Sequence, residues 1–461
     1  MLVENLSSFR NEFSPGAHTE LRAQLNRSRR VAMVSGSLAV NSRSDVSGVS
    51  ARVYRGGTYG FSSAAALDGD SVRAVLSAAT QNALFMDRHI ARGMPPLPSV
   101  PAIEHSAPYE LADPPQKVYL DAVRELDSYI SEKYPELAGR TVMAYSDWVE
   151  KQLCTSDGCA AFSSVPRSYI YIGLTAVADD GSPVELFDPD GGFGVFDAVF
   201  PTVDPVKERA DRLYELLMHK REGVYAEAGL KTCILDGMLS GMLAHEAVGH
   251  TVEADLVLSG SVAGHCLNKQ VASELVSMTD FAHTAFGETA PLPVRFDDEG
   301  TPASDAELIK NGILTGYMNN RELARRFDMA PTGNARAWLF SDEPIIRMRN
   351  TAVLPGSSKL EDMIASVDDG YYLINTGNGQ ADTTGEFMFG VTMGYEIKNG
   401  RLGRALRDTT ISGVAFEMLK TVDMVSDSVV WTSSGFCGKK QPMAVGMGGP
   451  ALRCKMTVGG R

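Results

Sequence analysis

The sequence predicts an α+β protein, in which an α/β N-terminal domain (residues 1–228) precedes a β-rich, barrel-like antiparallel C-terminal domain (residues 229–461). Its 461 residues are enough for two or three domains. Segments of strand and helix periodicity alternate in the first half, which is typical of an α+β domain. Glycine and short β-like segments become frequent in the second half, which favours a sheet-rich domain.

The N-terminal domain is predicted from hydrophobic periodicity and turn signals. Residues 49–54 alternate small or apolar with polar side chains and lead into a glycine turn, as a strand does. Asp70 is expected to cap a helix, because apolar residues follow it at helical spacing. The predicted elements, in order, are strands within 18–63, a helix over 70–89, a proline-rich connector over 93–101, a helix over 114–132, strands within 140–187 and a helix over 205–228.

The C-terminal domain is predicted to begin with a helix and continue as strands. Residues 234–244 form an apolar run that predicts the buried start of this helix. Residues 385–396 show no helical period, and the Asn399-Gly400 dipeptide that follows is a strong signal for a hairpin turn. We therefore expect mostly antiparallel strands, with the helix packed against them.

Composition argues against several classes of function. The net charge is −14, whereas a broad nucleic-acid surface needs Lys and Arg to neutralise phosphates, so we expect no DNA or RNA partner. No apolar run reaches the roughly 20 residues that span a bilayer. The N-terminus lacks the basic start and long apolar region of a signal peptide. We therefore expect a cytoplasmic protein without membrane contact.

The six cysteines are scattered along the chain and form no C-x-x-C pair. This pattern does not resemble a disulfide framework. Reduced thiols are therefore expected, and a reduced thiol is available as a zinc ligand.

The most informative segment is the hexapeptide HEAVGH, residues 245–250. Histidine is the commonest side-chain ligand of metals, and a carboxylate beside a metal-bound water can act as its general base. His245 and His250 are therefore candidate metal ligands, and Glu246 is a candidate catalytic base. The alternative is that both histidines are hydrogen-bonded core residues, because the apolar segment before them predicts a buried helix.

The spacing of the two histidines predicts a distorted helix. In the H-E-x-x-H motif the histidines are four residues apart and diverge by about 40° around a regular helix. His245 and His250 are five residues apart, which corresponds to about 140°. Both can reach one ion only if the helix widens, bends or ends near Gly249, and glycine tolerates such a distortion best. A π-type turn would bring residues five apart nearer to line.

A third metal ligand is needed, because a catalytic zinc takes three protein ligands and keeps one position for water. The hexapeptide supplies two of them. Spacing alone does not choose the third, for which the candidates are Cys454, Cys437, Cys266, His265 and Glu253. For Cys454 the alternative role is that of a small buried apolar residue.

Several ordered segments together resemble the TldD/PmbA family of metalloproteases, and specifically its metal-binding, TldD-like branch. The resemblance covers nearly the whole chain and is centred on the hexapeptide. The other matching segments are residues 253–255, 297–302, 312–314, 331–336, 347–351, 437–441 and 449–460. In the N-terminal half the resemblance is looser and rests on residues 48–53 with Gly57, Gly60 and Phe61.

The resemblance implies a zinc peptidase that joins an α/β N-terminal domain to a β-rich C-terminal one. Carried over to this chain, it implies that His245, His250 and Cys454 hold Zn2+. The PmbA-like branch lacks the metal motif and serves as a partner subunit. The resemblance therefore implies either a homodimer or a heterodimer with a PmbA-like subunit.

These observations lead to the hypothesis of a zinc-dependent peptidase that acts on unfolded or extended peptides. The zinc would lower the pKa of its bound water and polarise the scissile carbonyl. Glu246 would take the proton of that water and pass it to the leaving amine. Glu253 is either a carboxylate that orients a ligand histidine or a plain surface carboxylate. The alternatives are a non-catalytic peptide-binding subunit with a structural zinc, and an amidase that acts on small molecules.

Overall fold

A seven-stranded sheet organises the N-terminal half of the chain. In this computed structural model, which describes residues 2–90 and 92–460, its strands are β1 (His18–Val34), β2 (Ser37–Arg55), β3 (Thr58–Ala64), β4 (Glu104–Ala107), β5 (Gly139–Thr155), β6 (Ala160–Val177) and β7 (Pro183–Phe193). The strand order is β3-β2-β1-β5-β6-β4, and β7 also pairs with β6. A 3-10 turn, Leu6–Glu12, precedes the sheet, and its helices are α1 (Gly69–Ile90), α2 (Gln116–Lys133), α3 (Phe196–Val199) and α4 (Asp204–Arg221).

The two faces of this sheet are covered by different parts of the chain, since successive side chains of a strand point to opposite faces. One face is apolar, and helices α1, α2 and α4 pack on it. The other face is polar but buried. There, Arg22 donates to the carbonyl oxygen of Asp342 at 2.8 Å, and Gln24 donates to that of Trp338 at 2.6 Å. The polar face therefore carries part of the C-terminal half.

The C-terminal half consists of many short strands and short helices. Its strands are β8 (Gly229–Leu235), β9 (Met278–Phe281), β10 (Thr284–Ala285), β11 (Glu288–Thr289), β12 (Ala306–Lys310), β13 (Ile313–Leu314), β14 (Ala335–Arg336), β15 (Ile345–Ile346), β16 (Asn350–Val353), β17 (Asp369–Ala381), β18 (Glu386–Lys398), β19 (Arg401–Leu406), β20 (Thr409–Val414), β21 (Met424–Val425), β22 (Val430–Thr432), β23 (Phe436–Cys437), β24 (Met443–Ala444), β25 (Gly446–Gly449) and β26 (Leu452–Val458). Its helices are α5 (Gly237–Met242), α6 (Ala254–Leu258), α7 (Arg321–Arg326), α8 (Leu360–Ala365) and α9 (Ala415–Leu419). Across the described residues, none of the helices is both long enough and apolar enough to cross a membrane.

Five of these strands close into a barrel. The order is β17-β8-β26-β20-β18, and β18 pairs back with β17. The pairs are antiparallel except for β8 with β17. Asn399 and Gly400 join β18 to β19 with φ values of 50° and 75°, as the predicted hairpin turn requires. The predicted fold class, an α/β N-terminal part with a β-rich, barrel-like C-terminal part, is confirmed.

Two predicted helix boundaries were wrong. Residues 234 and 235 belong to β8, and the helix begins only at Gly237. The reason is local, because the Asp236 side chain accepts the backbone N–H of Leu239 at 2.8 Å and caps the helix there. The helix predicted to reach residue 228 ends at Arg221. The domain boundary predicted after residue 228 coincides with the start of β8 and stays a prediction.

A second sheet supports the helix that leads to the histidines. Its strand order is β13-β12-β9-β16-β25-β22, and α5 lies against β25. A Cβ on Gly449 would lie 2.0 Å from Oγ of Ser240, and a Cβ on Gly241 would lie 3.1 Å from the backbone nitrogen of Gly448. Glycine is therefore required for helix and strand to approach so closely, and this contact fixes the position of α5.

Candidate metal centre

His245 and His250 lie on a helix that changes its type between them. Helix α5 continues into a π-helical turn, Leu243–Gly249, and a 3-10 turn, His250–Val252, follows. The backbone N–H of His250 donates to the carbonyl oxygen of His245, which is the five-residue hydrogen bond of a π turn. The two imidazole centroids are 5.2 Å apart. The predicted helix distortion is therefore confirmed, and it brings both rings to one site.

Gly249 allows the π-helical turn to pack against the side chain of Met348. A Cβ at this position would lie 2.2 Å from Sδ of Met348 and 3.0 Å from the carbonyl oxygen of Ala244. Its φ of −55° is one that any residue adopts. The requirement for glycine is therefore one of space, and a larger residue would have to displace the Met348 side chain or the turn.

His245 is buried without the partners that a buried imidazole needs. Only 1% of the residue is exposed. Within the part of the chain that the structure describes, neither of its ring nitrogens makes a hydrogen bond. Buried polar atoms without partners are costly, and their presence in a folded protein calls for an explanation. A metal ion is one partner that would satisfy a ring nitrogen here.

His250 is oriented from behind by a buried carboxylate. Its Nδ1–H donates to Oε2 of Glu253 at 2.7 Å. Glu253 is completely buried, and Nζ of Lys439 lies 3.3 Å from the same oxygen. The other ring nitrogen, Nε2, lies 3.3 Å from Sγ of Cys437. A carboxylate that accepts one N–H of a histidine, and so turns its other nitrogen toward a metal, is a recurring feature of metal sites.

Cys437 is held in place by its backbone. It lies in β23, directly opposite Met443 of β24. The buried guanidinium of Arg347 donates to the carbonyl oxygens of Cys437, Lys439 and Gln441 at 2.8, 2.9 and 2.6 Å. These three bonds fix the loop between the two strands and with it the position of the thiol.

The side chains of His245, His250 and Cys437 form one group. One possible ligand atom from each lies within 4.8 Å of those of the other two. Among the described residues, this is the one group of three or more His, Cys, Asp or Glu side chains that meets this distance. Imidazole nitrogen and thiolate sulfur are ligands that zinc prefers, so these residues fit a zinc ion.

The charges of this group favour a thiolate. Burial by itself raises the pKa of the Cys437 thiol, but the two neighbouring imidazoles outweigh burial and lower it to about 3. Burial by itself lowers the pKa of His250, but Cys437 and Glu253 outweigh burial and raise it to about 10. Without a metal, the pair is therefore a thiolate beside an imidazolium, and a cation that binds here replaces the proton of His250.

Glu246 lies at the open side of the group. Its carboxylate oxygens are 3.9 Å from Nε2 of His245 and 3.6 Å from Nε2 of His250. The side chain is 25% exposed, in contrast to the buried His245. Water can therefore reach this carboxylate.

The structure does not bring Cys454 to the histidines. Cys454 lies in the barrel wall on β26, directly opposite Cys233 of β8. It is buried among apolar side chains, and this burial raises the pKa of its thiol. The resemblance to a known family implied Cys454 as the third ligand, whereas the cysteine that lies within 4.8 Å of both histidines is Cys437. In the described chain, Cys266 and His265 are not part of the group either.

Three supporting residues were not singled out from the sequence, namely Arg347, Met348 and Lys439. All three lie in segments that resemble the family, 347–351 and 437–441. The resemblance of these segments to the family was therefore a signal for the three residues. Their roles could not be predicted from it, because they depend on contacts with residues far away in the sequence. Cys437 was one of five candidates for the third ligand.

Comparison with family descriptions places both halves of the chain in one family. Residues 229–460 match the PmbA/TldA metallopeptidase C-terminal domain, and residues 19–83 match domain 1 of the same metallopeptidases. The C-terminal match alone covers half of the chain.

Individual proteins agree with this placement. A protein named "Metalloprotease" from Methanothermobacter thermautotrophicus is 29% identical over 450 residues, which cover 96% of this chain and 95% of that protein. A "Zinc metalloprotease TldD homolog" from Saccharolobus solfataricus is 29% identical over 345 residues, which cover 74% of this chain and 76% of that protein. The crystal structure of TldE from Thermococcus kodakarensis has a TM-score of 0.75 at 17% identity, covers 98% of this chain and all of that one, and so has the same fold. On the strength of its two matched domains, this chain belongs to the PmbA/TldA family of metallopeptidases, the TldD/PmbA family that its motifs resemble.

Proposed function

We propose that this protein is a zinc-dependent peptidase that hydrolyses peptide bonds in unfolded or extended peptides. The observation that carries the proposal is the convergence of His245, His250 and Cys437 within 4.8 Å of one another, beside the partly exposed carboxylate of Glu246. The names of the two relatives, a metalloprotease and a zinc metalloprotease, support it.

The ligand set we propose is His245, His250 and Cys437. Each donor has a reason to accept a metal: the buried ring of His245 lacks hydrogen bonds, His250 is held by Glu253, and Cys437 favours the thiolate. A zinc ion held there would supply Lewis acidity toward a carbonyl oxygen and a water molecule. The group of described residues contains no fourth histidine or cysteine, which suits a catalytic site with one open position better than a closed structural site.

Cys437 takes the role that the resemblance gave to Cys454. A metal needs a deprotonated thiol, and the two imidazoles favour deprotonation of Cys437. The apolar barrel wall has the opposite effect on Cys454. The sulfur of Cys437 also lies 3.3 Å from Nε2 of His250. Cys437 can therefore bind the same metal ion as His250 without any rearrangement of the barrel.

Glu246 is the proposed general base and acid. It lies next to both histidines and is open to solvent, so it can accept a proton from an attacking water. The same carboxyl group then donates this proton to the nitrogen of the leaving amine. Behind His250, the carboxylate of Glu253 fixes the ring, and Lys439 in turn forms an ion pair with this carboxylate.

For assembly, we propose a homodimer or a heterodimer with a PmbA-like subunit. The shared fold of this chain and TldE supports a common architecture for subunits of the two types. The measurement is the mass of the purified chain by light scattering, alone and mixed with a PmbA-like protein of the same organism.

The function is tested with purified protein on unfolded peptides and on small amides, with and without a chelator, together with metal analysis. We expect about one zinc per chain and chelator-sensitive cleavage of peptides. Glu246→Gln should abolish cleavage and leave zinc bound, because Glu246 is not a ligand. Full activity of this variant would refute the mechanism.

Two other outcomes identify the alternatives. Zinc bound by four protein ligands in a chain that binds but does not cleave peptides indicates a non-catalytic subunit with a structural metal. Cleavage of small amides in preference to peptides indicates an amidase.

A further inference from the structure

A small cleft, with a volume of about 70 Å³, lies between the polar face of the N-terminal sheet and the C-terminal half, next to the hairpin that carries Cys437. Met443, which is paired with Cys437, lines it. Most of its walls are apolar, formed by Val149, Val165, Leu292, Phe296, Trp338 and Met443. Apolar walls with a few polar groups are typical of ligand pockets.

The charged groups of the cleft leave an excess of positive charge, although the whole chain carries −14. Two of its cations are neutralised in ion pairs, Lys151 with Asp298 at 2.6 Å and Arg167 with Asp147 at 2.5 Å. The remaining carboxylate of the lining, Asp297, accepts three backbone N–H groups. Two arginines of the lining, Arg295 and Arg336, have no carboxylate oxygen within 4.0 Å among the described residues.

Arg336 is the more significant of these two arginines, because only 7% of it is exposed. Its guanidinium donates to the carbonyl oxygen of Met348 at 2.5 Å and to that of Ala444 at 3.1 Å. Both hydrogen-bond partners are neutral, and the two carboxylates that act on its charge, Asp298 and Asp280, are already in ion pairs with Lys151 and Arg349. A buried charge without a partner is costly. The arrangement suits an anionic group supplied by a ligand.

The two carbonyl partners connect Arg336 to the candidate metal centre. Met348 contacts Gly249, the residue before His250. Ala444 is paired with Phe436, the residue before Cys437. Arg336 therefore joins two segments, each of which contacts a segment that carries proposed ligands.

We propose that this cleft is a binding site for a carboxylate of the substrate, with Arg336 as the cation that binds it and the apolar walls as the surface for an adjacent apolar side chain. The proposal rests on the proposed peptidase function for the identity of the ligand as a peptide. It narrows the substrate class to peptides that carry a carboxylate, either at the C-terminus or on a side chain, beside an apolar residue. A guanidinium is well suited to this role, because its planar donors match a carboxylate.

The test measures binding rather than cleavage. Three eight-residue peptides of Ala and Leu are titrated into the Glu246→Gln chain: one with a free C-terminal carboxylate, one with a C-terminal carboxamide, and one with the carboxamide and an internal Glu. Calorimetry gives the affinity, and the fluorescence of Trp338 in the cleft gives a second readout. We expect about tenfold or tighter binding for at least one peptide with a carboxylate than for the peptide without one. The tighter of the two identifies the source of the carboxylate.

Variants connect this preference to the cleft. Arg336→Gln should reduce the preference to about twofold or less, whereas Arg43→Gln, on an exposed strand, should leave it unchanged. Because Arg336 also holds two carbonyls, Val165→Phe provides an independent variant that fills the cleft from the opposite wall and should weaken binding of all three peptides. Equal affinity for the three peptides, or tight binding to Val165→Phe, would overturn the proposal. If the protein cleaves peptides but shows no preference for a carboxylate, only this inference is refuted. If it prefers peptides with a carboxylate but cleaves none, only the proposed peptidase function is refuted.

Discussion

The backbone N–H of His250 donates to the carbonyl oxygen of His245, and this one hydrogen bond turns a five-residue spacing into a shared site. In a regular helix the two rings would diverge by about 140°. The π turn widens the helix, so that the two ring centroids lie 5.2 Å apart. The extra residue of the hexapeptide is therefore accommodated in the backbone, and the side chains meet as they would in a four-residue motif.

The identity of the sulfur ligand can be decided by two matched substitutions. Cys437→Ser should reduce zinc content to a small fraction of one ion per chain, because it removes a proposed ligand. Cys454→Ser should retain zinc, because its thiol lies in the barrel wall opposite Cys233. Metal analysis after gel filtration measures both. Retention of zinc by the first variant together with loss by the second would favour the ligand set implied by family resemblance.

Gly249 is expected to tolerate no side chain. Gly249→Ala places a methyl group 2.2 Å from Sδ of Met348, and such overpacking typically costs about 1–3 kcal/mol. We expect a lower melting temperature and weaker zinc binding, since the displaced turn carries both histidines. Gly438→Ala is the control, because a Cβ there meets nothing within 4 Å although it adjoins Cys437. An unchanged melting temperature for Gly249→Ala would show that the turn is more adaptable than the packing indicates.

Glu253 should matter to the metal although it does not touch it. Glu253→Gln removes the negative charge behind His250 and should weaken zinc binding by about 10- to 100-fold, as other substitutions behind metal-ligating histidines do. The readout is competition with a chelating dye. Asp255→Asn is the matched control, because Asp255 contacts the same Lys439 but not His250. Equal effects of both substitutions would mean that the charge of Lys439, and not the orientation of His250, controls the affinity.

Zinc binding should release a proton from His250. In the metal-free protein the pKa of His250 is raised to about 10 and that of Cys437 is lowered to about 3. Between these values His250 must lose its proton before it can bind a metal, whereas Cys437 is already a thiolate. The affinity should therefore rise about tenfold per pH unit from pH 5 to pH 8 through His250. Calorimetry in buffers of different ionisation enthalpy counts the released protons, and a count of zero would contradict the ion pair.

Much of the architecture follows from local sequence patterns. The helical spacing after Asp70 predicts a helix over 70–89, close to the observed Gly69–Ile90, whereas the alternation over residues 49–54 predicts only the last part of β2, which spans Ser37–Arg55. The Asn399-Gly400 dipeptide predicts its hairpin, because few other residue pairs adopt the two left-handed conformations of that turn. The apolar run over residues 234–244 is less informative, since periodicity cannot distinguish a buried strand from a buried helix. Only the Asp236 cap separates them.

The sequence by itself determined the two histidines, the carboxylate between them and the need for a distorted helix, because all of these depend on residues within one turn of each other. Only the tertiary structure decided which thiol meets them. Cys437 lies 187 residues beyond His250 in the chain, and no periodicity relates positions so far apart. The pairing of β26 with β8 places Cys454 in the barrel wall, and the hydrogen bonds from Arg347 place Cys437 at the histidines. Ligands that lie on one helix can be recognised from their spacing in the sequence. A ligand from a distant segment is brought to them by strand register and by the hydrogen bonds that anchor its loop, which the spacing does not reveal.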